Sequence, residues 1–161
     1  DSKPTGVIMR GKSGWVLDDL LEWKGTVIPT PSSILVKRTV IEKVGGFNES
    51  LSNNADQEFF FRVTKHYKVG QVDSVLGGYR VHENQMHKNI PLLDSDSKKA
   101  FALAQDHGLF KSSGFRRRCF AKMYLILGNC WWKDARKPFL AFRYYCKALM
   151  LYPLIFFRYK E

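Results

Sequence analysis

The chain has 161 residues, of which 45% are hydrophobic and 14% aromatic, and carries a net charge of +11 at neutral pH. That apolar content excludes a disordered chain, and the length supplies one ordinary domain or half of a larger one. The charge asks for an anionic partner such as nucleic acid, acidic lipid or a phosphate-bearing substrate.

Residues 1–14 are rich in Gly, Ser and Lys and read as loop. Residues 15–23 predict a short helix with Val16, Leu20 and Trp23 on one side, ended by Gly25. Pro29-Thr30-Pro31 forces an extended approach, because a residue before proline is pushed out of the helical region. Residues 33–37 are rich in β-branched side chains and predict a buried strand. Thr39-Val40-Ile41-Glu42 fits a capping box for a brief helix that Gly45-Gly46 stops, and Phe47 is expected to plug back into the core.

Asn54, with Gln57 as reciprocal partner, predicts the cap of a helix whose apolar face is Phe59, Phe60 and Val63 and which ends near His66. Residues 67–72 and 75–81 read as two strands broken at Asp73-Ser74. Residues 83–99 are polar and read as loop, leading into a helix over 98–106 that Gly108 stops. Two longer helices follow over 115–130 and 134–151, with a turn at Gly128-Asn129-Cys130-Trp131. In this pair Ala141, Tyr145, Ala148 and Pro153 keep the spacing of the second helix of a tetratricopeptide unit. One unit cannot build a stack, so the hairpin is expected to pack on the domain before it.

The charge is uneven. From Lys111 onward the only acids are Asp134 and Glu161. No recognition motif accompanies those cations, which sets nucleic acid aside. Trp131, Trp132, Phe156, Phe157 and Tyr159 lie among them, a composition that fits an anionic membrane surface. Cys119, Cys130 and Cys146 have no metal-ligand spacing and read as buried, reduced thiols of a reducing compartment. No stretch of the given residues reads as a secretory leader, nor do they contain a run of about 18 apolar residues. The chain starts at Asp1 rather than Met, as a piece cut from a longer protein would.

Four pieces stand in a telling order: Ser32-Ser33-Ile34-Leu35-Val36-Lys37-Arg38, then Val44-Gly45-Gly46-Phe47-Asn48, then Asn54-Ala55-Asp56-Gln57-Glu58 running to Arg62, then Gly78-Tyr79-Arg80-Val81-His82. Over roughly residues 16–90 this combination resembles the acceptor-side half of family 2 glycosyltransferases with the GT-A fold. The resemblance implies an α/β fold. Residues 1–92 would be the acceptor-side part of a Rossmann-like domain, and 93–161 a helical region. It also implies an inverting transfer from a nucleotide-diphosphate sugar to a glycan or lipid-linked acceptor, in bacterial surface polysaccharide or glycolipid synthesis. The place of work would be the cytoplasm, peripheral to the inner face of the membrane.

Within that resemblance Asp56 matches the general base. Ala55 stands where the family often has Glu. Glu58 and Arg80 would bind substrate, and His82 would ligate a divalent metal, Mn or Mg, or touch the pyrophosphate. Local sequence alone permits plainer roles: Asp56 and Glu58 as first-turn acids of a helix, Arg80 as a partner to an acid of the fold, His82 as a surface residue. The family's Asp-x-Asp metal motif should precede Ser33 and does not occur there; Asp94-Ser95-Asp96 has the letters but falls after His82. The chain by itself is therefore expected neither to bind a nucleotide sugar tightly nor to transfer one. With its donor sheet missing, its apolar flank around Ile34, Leu35 and Val36 invites self-association. The alternative is a non-catalytic, basic helical adaptor for a membrane surface or a protein partner.

Overall fold

The computed structural model describes residues 6–80 and 88–155. Six α-helices occur among them: α1 (Leu17–Leu21), α2 (Arg38–Val44), α3 (Ala55–His66), α4 (Ile90–Asp106), α5 (Ser113–Lys133) and α6 (Pro138–Leu151). A single 3-10 turn, Pro31–Ser33, precedes α2.

The expected α/β architecture is overturned. The described residues form no sheet, and the only strand-like pairing is an isolated antiparallel bridge between Gly14 and Val69. The stretch 33–37 does alternate like a strand, with Ile34 and Val36 packed on the core and Leu35 fully exposed. Its backbone is extended at Ile34 (φ −110°, ψ 148°). Extension is not enough, because a strand is held by a neighbour that pairs its N–H and C=O groups. Among the described residues none pairs with it, and Ile34 and Val36 pack on the core instead. In the strand expected over 75–81, Val75 and Leu76 are more than 70% exposed.

Helix ends differ from expectation for local reasons. Thr39 does not cap α2: the helix starts at Arg38, and Glu42 takes Nε of Arg38 at 2.9 Å instead of reaching back. Gly45 does stop it, at φ 81°. Phe47 stays 53% exposed, its ring 4.9 Å from that of Phe59. Helix α4 begins well before Lys98, because Asn89 accepts the Leu92 amide at 3.2 Å and Pro91 is tolerated in a first turn. The turn expected at Gly128 is helical. The chain reverses at 134–137, and Gly128 is where α5 and α6 approach.

Helices α5 and α6 form a hairpin, α4 packs on α5 and on α3, and α3 receives α1 and α2. One core joins them. Phe101 of α4 meets Phe61 at 5.9 Å, Trp23 at 5.6 Å and Phe120 at 5.4 Å, each edge to face. The division expected after residue 92 falls inside α4, and Phe101 packs on residues from before it. Asp94 ties α4 to α6 by accepting the Tyr144 hydroxyl at 2.5 Å, with Lys98 beside it at 2.9 Å. Among the described residues no helix is long and apolar enough to cross a membrane.

Candidate functional site

A cleft of about 410 Å³ opens where α1, the loop 25–29 and the first turn of α3 converge. Helix α1 is short because Trp23 takes a left-handed conformation (φ 48°) and Gly25 follows with φ 63°. Such a φ is costly for a large residue and persists only where its surroundings impose it. Trp23 lines the cleft, and its indole N–H has no hydrogen-bond partner among the described residues.

The other wall is the start of α3, which distant residues hold. Asp96 Oδ2 accepts the amides of Ser52 at 2.7 Å and Asn53 at 2.6 Å. Asn54 does not cap α3 with its side chain. Its Nδ2 donates instead to Ser97 Oγ at 2.7 Å. The first turn is thereby pinned to α4, and Asp56 projects from it at the cleft.

Two carboxylates line the cleft and are tuned in opposite directions. Burial pushes the Asp56 carboxyl up, and the hydrogen bonds it accepts from its own amide and from Gln57 (2.7 Å) only partly counter this. Burial also pushes Asp19 upward. Its bonds to Lys12 at 2.9 Å and Lys24 at 3.2 Å outweigh that and hold it below the ordinary carboxylate range. The two acids are thus shifted in opposite directions, Asp56 up and Asp19 down.

The remaining expected site residues lie elsewhere. Glu58 is buried away from the cleft, its two oxygens taken by Arg62 at 2.7 and 2.9 Å. Arg62 also donates to the Val44 and Gly46 carbonyls, so this pair clamps the Gly45-Gly46 turn to α3. Arg80 lies exposed in the irregular stretch after α3. His82 is outside the described residues.

A divalent metal does not fit what the described residues bring together. They contain no group of three His, Cys, Asp or Glu that could hold one. In the cleft, Asp19 is already committed to two ammonium groups. Sequence reasoning missed Asp19 and Trp23. Trp23 looked like an ordinary member of an apolar helix face, and nothing in the sequence singled out Asp19. Comparison with family models, with curated proteins and with solved structures returns no match for this chain.

Proposed function

We propose that the cleft is the acceptor side of a glycosyl-transfer site and that Asp56 is its general base. The observation that carries this reading is Asp56 itself, a carboxylate of raised proton affinity on the wall of a cleft of sugar-binding size. Inverting transfer needs one group to take the proton from the acceptor hydroxyl as that oxygen attacks the anomeric carbon. A desolvated carboxylate does this better than a solvated one. Trp23 lines the same cleft, and an indole ring suits the apolar side of a sugar ring. The ionised Asp19 can accept hydroxyl hydrogen bonds on the same cleft.

The donor in this reading is a nucleotide-diphosphate sugar, whose leaving group needs positive charge. In this reading the chain's own contribution is on the acceptor side: binding, orientation and proton removal. The product would belong to surface polysaccharide or glycolipid synthesis at the cytoplasmic face of a membrane.

A titration of the chain with mono- and oligosaccharides, and separately with nucleotide sugars, tests the reading through amide NMR shifts. Saccharide-induced shifts confined to residues 26–28 and 53–57 are expected. Silence there, or shifts elsewhere, would sink the acceptor-site reading and leave the basic helical adaptor. In a transfer assay of a longer enzyme that includes the donor half, Asp56→Asn is expected to lower turnover by about 10²–10⁴-fold. Turnover near that of the unaltered protein would remove Asp56 as base.

A further inference from the structure

Helix α6 has two apolar faces, and only one is covered. Ala141, Tyr144 and Ala148 are buried at the seam with α5. At about 100° per residue, Phe139, Phe142 and Met150 fall on the opposite side. They are 79%, 64% and 78% exposed. Leu149, and Leu154 just beyond the helix, are exposed as well. A surface helix ordinarily turns polar residues outward, so a second apolar stripe calls for a cover.

The flanks of the stripe say what that cover is. Helix α6 contains no acid, and between Lys111 and Ile155 the only acidic residue is Asp134. Arg143 borders the stripe and Arg136 stands at its entrance; both are exposed, and neither forms an ion pair with a described residue. A second copy docked symmetrically on this face would set these arginines near their own images with no acid to meet them, an unfavourable arrangement. An anionic lipid surface meets both requirements, with phosphates for the arginines and an acyl boundary for the rings. Spanning is not at issue, because 14 residues of helix reach about 21 Å against a hydrocarbon core of about 30 Å.

We propose that the outer face of α6 lies flat on an anionic bilayer surface, with Phe139, Phe142 and Met150 entering the head-group boundary and Arg136 and Arg143 on lipid phosphates. Of the aromatic residues expected from sequence at such a surface, Trp131 is buried and Trp132 is exposed, while Phe156, Phe157 and Tyr159 lie outside the described residues. This inference does not depend on the glycosyl-transfer reading.

Flotation of the chain with vesicles of pure phosphatidylcholine, and of its equimolar mixture with phosphatidylglycerol, tests it. Binding to the mixed vesicles alone is expected, with a loss of at least about tenfold in about 1 M salt, where the screening length falls to about 3 Å. The double variant F139S/F142S, with its helical circular dichroism unchanged, should lose about tenfold or more. Should that variant fail to fold, Phe139→Trp keeps the test: its fluorescence should be quenched by brominated acyl chains in mixed vesicles. Equal binding to neutral vesicles, no binding to mixed ones, an unaffected F139S/F142S or an unquenched Trp would each overturn the proposal. So would a dimer that F139S/F142S dissolves, which would assign the face to a second copy.

Discussion

Asp96 accepts the amide of Asn53 at 2.6 Å although 43 residues separate them in the chain. The same oxygen takes the Ser52 amide, so one carboxylate of α4 sets the loop that launches α3 and with it the position of Asp56. Hydrogen bonds to an ionised acceptor are among the stronger ones in proteins, and Asp96 is itself buried. Asp96→Ala would strand two amides and is expected to cost about 2–3 kcal/mol in urea unfolding. It should also broaden the amide resonances of the first turn of α3. An unchanged unfolding midpoint would show that the loop is held by something else.

Asp56→Asn should stabilise the protein at neutral pH. Burial raises the folded-state proton affinity of Asp56 above its ordinary value of 3.8. A carboxyl so shifted contributes stability that is full below its unfolded value and is lost as pH rises through its folded value. Asparagine has no such loss and can still accept the Gln57 amide. Thermal unfolding followed across pH should therefore show the variant ahead at pH 7, with the two curves converging near and below pH 3.8. A variant less stable at pH 7 would mean that the helix terminus favours the charge more than burial opposes it. Gained stability with lost transfer is the trade expected of a functional residue.

Gly128→Ala should destabilise the hairpin. A Cβ at that position would stand 2.6 Å from Cε1 and 2.9 Å from Cδ1 of Tyr145, and 3.3 Å from Cβ of Tyr144. The Tyr145 ring is held by its hydroxyl, which bonds Asn129 Oδ1 at 2.9 Å. Alanine gains about 1 kcal/mol in helix propensity, which overpacking of about 1–3 kcal/mol offsets or exceeds. A net loss of about 0–2 kcal/mol is expected, smaller in a Tyr145→Ala background because the cycle is coupled. A stabilised Gly128→Ala would contradict the close approach of the two helices.

Arg62→Ala leaves Glu58, whose side chain is only 4% exposed, without its partner. Removing one member of a buried pair typically costs about 3–5 kcal/mol. Arg62→Ala with Glu58→Gln should recover a large part of that loss in chemical unfolding. No recovery would mean that the Val44 and Gly46 carbonyls, rather than Glu58, are what Arg62 chiefly serves.

Cys119 is pushed up to about 12 by burial, so its thiolate is scarce at physiological pH. Alkylation at pH 7.5 should leave it untouched in the folded chain and label it in urea. Rapid labelling without denaturant would place α5 in exchange with an open form.

By itself, the sequence determined the pieces whose cause is local. Helix α3 was legible from its apolar spacing, though not from the cap expected at Asn54, the stop of α2 from Gly45, and the two long C-terminal helices from their periodicity. Asp56 was legible as a candidate because its neighbours in the chain carry the resemblance. Tertiary structure alone decided the rest. Whether residues 33–37 pair as a strand depends on a neighbour that no local pattern encodes, and Ile34 and Val36 pack on the core instead. Asp94-Ser95-Asp96 looked like a stray loop motif until α4 turned Asp96 and Ser97 toward the loop before α3, and Asp94 toward Tyr144. Glu58 and Asp56 sit two residues apart and cannot be told apart by letter; a helix sends side chains two positions apart to different faces, one into Arg62 and one into the cleft. Propensity and capping act over a few residues and can be read from a line of letters. Burial, charge pairing and the tuning of a carboxylate depend on which distant side chains the folded chain brings within a few ångströms.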